Sequence, residues 1–233
     1  MKKLGKSLLL LIVGSVVAWQ LATPTYTYRY RLTVEVNTPE GVKSGSSVIQ
    51  VSTTKIPRWL RGLFGTEDVE VKGEAVFVDL GNGKNVIAPL TNSFETLAPK
   101  VLLAEQLTAH ESRPEMAKKL MRAQPSETLI PQKYTPILIT FLNLSSPDSA
   151  QVIYAVTDDK KMDQDRFLAV FGSGYSFSNV RLALTSAPIT YKIIDKLPWW
   201  DLPTRPAVKA WEKINYAAGL SGSIEPERLF IKD

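Results

Sequence analysis

The stretch YTYRYRLTVEV, Tyr26 to Val36, alternates strictly between two kinds of side chain. Aromatic or aliphatic residues stand at every even position, and Thr, Arg or Glu at every odd one. A period of two with aromatic and β-branched residues predicts a half-buried β-strand. A belt of membrane-interface aromatics fits less well, because residues along a strand rise about 3.3 Å each and the tyrosines would lie at different depths. The chain is therefore expected to build a sheet with one apolar face.

Turn signals place more strands after this one. Thr38-Pro39-Glu40-Gly41 predicts a turn, after which VKSGSSVIQV returns as a second strand. Asn82-Gly83 predicts a tight hairpin, because both positions of such a turn require positive φ. Ser112 and Glu115 have the spacing of a helix capping box. The other predicted elements are strands over 134–144, 150–156, 175–186 and 189–196, and helices over 100–108, 164–171 and 206–218.

The order of these elements indicates the fold class. About eight strands and three or four helices follow one another without β-α-β alternation. We therefore expect an α+β fold with a mostly antiparallel sheet. Residues 23–233 are expected to form a single domain, with a candidate seam near 124–132.

Residues 1–22 have the composition of an export signal. Three lysines precede an apolar run from Leu8 to Ala18, and small and polar residues follow it. Cleavage after Ala18 would give a soluble periplasmic protein. Retention would give a single-pass anchor, although a helix over 8–22 spans only about 22 Å of a hydrocarbon core of about 30 Å. In both cases the lysines stay in the cytoplasm and the body is exported, facing the periplasm.

The charge and cysteine counts exclude several classes of function. Without the three leading lysines, 25 basic residues stand against 23 acidic ones, so the body lacks the basic surface of a nucleic-acid-binding protein. The chain has no cysteine and one histidine. These counts exclude thiolate zinc sites, disulfides and cysteine nucleophiles. We expect no cofactor and no metal site, and the acidic stretch 158–165 predicts a solvated loop because it contains two lysines.

Catalytic motifs are weak. A Ser-His-Asp triad would have to use His110, and no G-x-S-x-G sequence is present. Ser52 and Lys55 match the S-x-x-K spacing of serine–lysine hydrolases, but they end a predicted strand. We assign no catalytic residue. A periplasmic hydrolase that uses Ser52 and Lys55, or a carboxylate pair, remains the alternative function. Its candidate carboxylates on strands are Glu70, Glu74 and Asp79.

Aromatic residues supply the candidates for binding. In IPRWLRGLFG, Ile56 to Gly65, helical spacing groups Trp59 with other apolar residues opposite two arginines. This pattern predicts a short helix that caps a sheet, with a membrane-surface helix as the alternative. In LPWWDLPTRP, Trp199 and Trp200 either close one end of the core or form a binding hot spot. The residues proposed for interaction are Tyr26, Tyr28, Trp59, Trp199 and Trp200.

Five stretches resemble an uncharacterised family of exported proteobacterial proteins. They are YRYRLTVEVNTPEGVKSGSSVIQV, GEAVFVDLGNGK, PQKYTPILITFLNLSSPDSAQVI, FLAVFGSGYSFSNVRLALTSAPIT and IDKLPWW. The resemblance covers most of 28–200 in order and departs at VTDDKKMDQDRFLAVFG and in the C-terminal helix. It implies an exported, membrane-associated protein and brings no reaction or catalytic residues. We therefore expect a domain that binds an envelope protein or the membrane surface.

Overall fold

A computed structural model describes residues 23–91, 94–108, 110–124, 126–157, 160–161, 165–199, 212 and 230–232. In this part of the chain the fold is α+β with antiparallel sheets, as predicted. It has nine strands of at least three residues, three strands of two residues and four α-helices. The strands are β1 Thr25–Thr38, β2 Gly41–Lys55, β3 Glu67–Glu74, β4 Val76–Gly81, β5 Lys84–Ala88, β6 Glu127–Leu129, β7 Leu138–Phe141, β8 Ala150–Tyr154, β9 Val156–Thr157, β10 Lys160–Lys161, β11 Ser176–Leu184 and β12 Ile231–Lys232. The helices are α1 Arg61–Phe64, α2 Phe94–Leu102, α3 Arg113–Leu120 and α4 Asp165–Phe171.

The larger sheet is built around the first hairpin and has the strand order β12-β3-β2-β1-β11-β6. β1 and β2 pair from Thr25 opposite Thr54 to Thr38 opposite Gly41, so the predicted turn is confirmed. The alternation of β1 is confirmed as well, since its even positions from Tyr28 to Val36 are buried. These side chains form the main core together with α2, α3 and the first strands of the second sheet.

A second sheet, with the order β4-β5-β7-β8, packs against the first. The β4–β5 turn has positive φ at both Asn82 (53°) and Gly83 (76°), as that hairpin sequence predicts. The backbones of the two sheets are in close contact at Gly45 of β2. A Cβ atom built there would lie 2.0 Å from the carbonyl oxygen of Phe77 in β4. Glycine is therefore required at position 45 for want of space.

The buried amide of Asn85 joins β5 to β7. Its Nδ2 donates to the carbonyl oxygen of Phe141 over 2.8 Å, and its Oδ1 accepts from the Phe141 N–H over 3.0 Å. Asn85 thus gives both backbone groups of Phe141 the partners that a neighbouring strand would otherwise supply.

Several predicted elements are wrong or shorter. The first helix covers Phe94–Leu102 instead of 100–108, and the strand predicted over 134–144 covers only Leu138–Phe141. No strand forms over 189–196, and hydrogen bonds that each involve one side chain attach this segment to the first sheet. The Val48 N–H donates to Thr190 Oγ1, and the Ile193 N–H donates to Glu74 Oε2. The helix predicted over 206–218 lies outside the described residues, apart from a single helical position at Glu212.

Candidate functional site

The segment Ile56–Gly65 connects β2 to β3 and is the most exposed apolar feature of the described chain. It consists of a 3₁₀ turn, Arg58–Leu60, followed directly by α1. Trp59, Leu63 and Phe64 are 71%, 80% and 65% exposed, and no residue of the turn or of α1 is buried. We call Ile56–Gly65 the amphipathic segment.

The prediction that this helix caps the sheet is wrong. The last β2–β3 pair is Lys55 opposite Glu67, and the Ile56 N–H donates to the Thr66 carbonyl over 3.1 Å. The segment is therefore the tip of a hairpin, closed at its base and lying past the end of the sheet. Helical spacing predicted which side chains share a face. Because β2 and β3 stop pairing at Lys55 and Glu67, that face has no sheet surface to cover.

The amphipathic segment lies beside the point where the chain enters the domain. Thr25 pairs with Thr54, and the Lys55 N–H donates to the Pro24 carbonyl over 3.2 Å. Pro24 and Thr25 therefore lie beside the end of β2 from which the amphipathic segment begins. Val42, which is 59% exposed, lies near the turn of the β1–β2 hairpin, at the opposite end of β2 and about 40 Å away along the strand.

Two cations accompany the exposed apolar side chains. Arg61 is held by a bond from its Nε to the Ile56 carbonyl, 3.3 Å long. Neither Arg58 nor Arg61 forms an ion pair with any described residue. Large apolar residues next to unpaired basic ones are typical of helices that lie in a membrane interface.

The base of the amphipathic segment is braced against α3. The carboxylate of Glu67 accepts from the backbone N–H of Arg113 at 3.1 Å and from its guanidinium Nη1 at 2.6 Å. Glu67 therefore satisfies a backbone donor in the first turn of α3, where an anion is also favoured by the helix dipole. These two bonds attach the base of the amphipathic segment to α3, and its tip stays exposed.

Trp199 belongs to the core. Of the two roles predicted for it, this position agrees with the one in which it closes one end of the core. It is 5% exposed, and its Nε1 donates to the Leu144 carbonyl over 2.8 Å. Its ring contacts Phe141 at 5.5 Å and Phe230 at 5.8 Å between centroids. Trp199 is therefore unavailable as a surface anchor. Trp200 lies outside the described residues.

Tyr28 also has a structural role, which explains why a helix can contain Pro99. Proline has no N–H, so the Glu95 carbonyl four residues earlier has no helical donor. The Tyr28 hydroxyl donates to this carbonyl over 3.0 Å. Burial, and to a smaller extent the nearby Glu95 carboxylate, raises the pKa of Tyr28 above its ordinary value, so the hydroxyl keeps the proton that it donates. Tyr26, two residues earlier on the same face of β1, is only half-buried at the margin of the core.

Replacing Tyr28 by Phe should lower the free energy of unfolding by about 1–3 kcal/mol, because the Glu95 carbonyl is left without a partner. In a Pro99→Ala background the helix regains its own N–H donor, so the same Tyr28 substitution should cost less. Urea unfolding of the wild type, the two single variants and the double variant measures this coupling. An equal cost of Tyr28→Phe in both backgrounds would contradict the assignment.

The weaker catalytic candidates are not brought together. The Ser52 hydroxyl is bonded to the Thr27 hydroxyl at 3.0 Å, whereas Lys55 lies 3.9 Å from Glu115. Residues three apart on a strand point to opposite faces, so the S-x-x-K spacing does not pair them. His110 is exposed, and Ser112 starts α3 with its N–H bonded to Glu115, which confirms the capping box. The three strand carboxylates have separate partners: Glu70 lies near Lys72, Glu74 accepts from Ile193 and Asp79 accepts from Gly81.

Comparison with known proteins gives no further guide, since no family model, curated protein or solved structure matches this chain. Within the described ranges, no helix is long and apolar enough to cross a membrane. The same ranges contain no group of three His, Asp or Glu residues placed to hold a metal ion.

Proposed function

We propose that this chain is an exported domain that works by binding at the outer face of the inner membrane, and that the amphipathic segment is the surface that contacts the bilayer. The observation that carries the proposal is the exposure of Trp59 in the 3₁₀ turn and of Leu63 and Phe64 in α1. Large apolar residues grouped on a surface indicate a partner that covers them.

The position and charge of the segment favour a lipid surface as that partner. The predicted signal or anchor, residues 1–22, precedes Pro24 in the chain, and the Pro24 carbonyl accepts from the N–H of Lys55, the residue before Ile56. If it is retained, the segment is held at the membrane by the same end of the domain. Arg58 and Arg61, unpaired within the described chain, would face the negative charge of anionic lipids. The alternative partner is an envelope protein bound at the same place. The following test distinguishes such a protein from a lipid bilayer.

Because the chain contains no cysteine, a single label can be placed at will. The full chain carrying Leu63→Cys with an environment-sensitive fluorophore should show a blue-shifted emission in vesicles, and lipids with spin labels in the acyl chains should quench it. The matched control is Val42→Cys, an exposed aliphatic position near the turn of the β1–β2 hairpin. A label there should show neither effect. Equal responses at the two positions would contradict bilayer contact, and a blue shift without lipid quenching would indicate a protein partner.

Tethering is a separate part of the proposal and has its own measurement. Intact mass and membrane fractionation of the chain expressed with its natural N-terminus distinguish the two forms. A full-length mass in the membrane fraction indicates an anchor, whereas a mass that begins near Trp19 in the soluble periplasm indicates a released domain. Finding the chain in the cytoplasm would contradict export.

A further inference from the structure

A groove of about 690 Å³ opens where β11 stops pairing with β1. The last pair is Leu184 opposite Tyr30, followed by one bond from the Thr185 N–H to the Arg29 carbonyl. The C-terminal end of α3, at Leu120 and Met121, lines the groove as well. The volume falls within the range of about 300–1,000 Å³ that is usual for small-molecule sites.

Arg29 gives the groove a fixed positive charge. Its Nε donates to Gln50 Oε1 over 2.8 Å, and its Nη1 donates to the Ala187 carbonyl over 3.3 Å. These bonds hold the guanidinium in place and leave Nη2 without a bond in the described chain. No described carboxylate pairs with Arg29, and none of the described residues that line the groove is acidic.

The other lining residues are of two kinds: Tyr28, Leu120, Met121, Ala123 and Leu184 form an apolar part of the wall, and Thr27, Gln50, Thr185 and Ser186 form a polar part. Leu120 is buried, Leu184 is partly buried, and Met121 is 56% exposed. An unpaired, oriented guanidinium next to an aliphatic wall is complementary to a molecule with an anionic head and an alkyl chain, since carboxylates match the planar donor fork of Arg.

We propose that this groove binds a single-chain amphiphile with a carboxylate head, the head at Arg29 and the chain along Met121 and Leu184. An extended peptide added to the edge of β1 is less well supported. The bond at the Arg29 carbonyl shows which backbone groups face this edge, and by alternation only Thr25 and Thr27 remain there. A peptide strand would therefore gain few backbone hydrogen bonds.

The proposal is tested by titrating the full chain with octanoate below its micelle concentration and measuring saturable binding by calorimetry. Arg29→Gln should weaken binding about tenfold or more, because one charge-assisted contact is lost. Arg31→Gln is the matched control, because Arg31 is the next odd residue of the strand, is exposed and does not line the groove. Octylammonium and octanol should not bind saturably.

A second variant keeps the test independent of folding around Arg29. Met121→Asp places a negative charge on an exposed part of the wall and should also weaken octanoate binding. Absence of saturable octanoate binding, or binding that survives both Arg29→Gln and Met121→Asp, would overturn the proposal. So would competition by acidic peptides but not by alkyl carboxylates.

This inference does not depend on bilayer contact, and the two proposals can fail separately. Trp59→Asp should leave octanoate binding unchanged, and Arg29→Gln should leave the lipid quenching at position 63 unchanged. Loss of octanoate binding in Trp59→Asp would place the amphiphile on the amphipathic segment and overturn the groove.

Discussion

Replacing Trp59 and Phe64 together by Asp is expected to weaken binding of the chain without residues 1–22 to phospholipid vesicles by about a hundredfold or more. Burying one such side chain in an apolar phase contributes about 1.5–3 kcal/mol, and each 1.4 kcal/mol is a factor of ten in affinity. Trp59 and Phe64 are 71% and 65% exposed in the structure. Vesicle flotation across a range of lipid concentrations measures the partition coefficient.

Two controls give that result its meaning. Val42→Asp makes the same kind of change at an exposed position on the far end of the β1–β2 hairpin, and it should leave vesicle binding unchanged. The thermal midpoint of the Trp59 and Phe64 double variant should stay close to that of the wild type, because substitutions at exposed positions usually change stability by less than about 0.5 kcal/mol. Unchanged vesicle binding in the double variant, or an equal loss in Val42→Asp, would contradict bilayer contact through the amphipathic segment.

The elements that local sequence determines were predicted well. The period of β1, the turn at Thr38–Gly41 and the hairpin at Asn82-Gly83 depend on side-chain alternation and on positive φ, which neighbouring residues set. The boundaries of α2 were not predicted, because a proline such as Pro99 indicates the end of a helix. Its cost is reduced in the fold by Tyr28, a residue 71 positions away, which supplies the missing donor.

The candidate site was predicted only in part, for a related reason. The sequence showed that Ile56–Gly65 has one apolar face, but whether that face is covered depends on where β2 and β3 stop pairing. For Arg29 no local signal exists. Every odd residue of β1 looks solvent-facing, and only the end of β11 at Leu184 distinguishes Arg29 from Arg31. Sites formed where a strand pairing ends require the register, which residue patterns alone do not supply.

Gly45→Ala is expected to lower the free energy of unfolding by about 3 kcal/mol, the upper end of the usual cost of overpacking a core. The added methyl group would lie 2.0 Å from the Phe77 carbonyl oxygen and 2.7 Å from its carbon. Both are backbone atoms of β4, so the second sheet must shift as a unit to relieve the contact.

Gly62→Ala in α1 is the matched control for Gly45→Ala, because a Cβ atom there meets nothing within 4 Å. Alanine is favoured over glycine inside a helix by about 0.5–1 kcal/mol, so this variant should be as stable as the wild type or slightly more stable. Urea unfolding followed by circular dichroism measures both variants under the same conditions. If Gly45→Ala unfolded at the midpoint of Gly62→Ala, β2 and β4 would have to lie farther apart than the structure places them. The packing of the two sheets around the main core would then have to be revised.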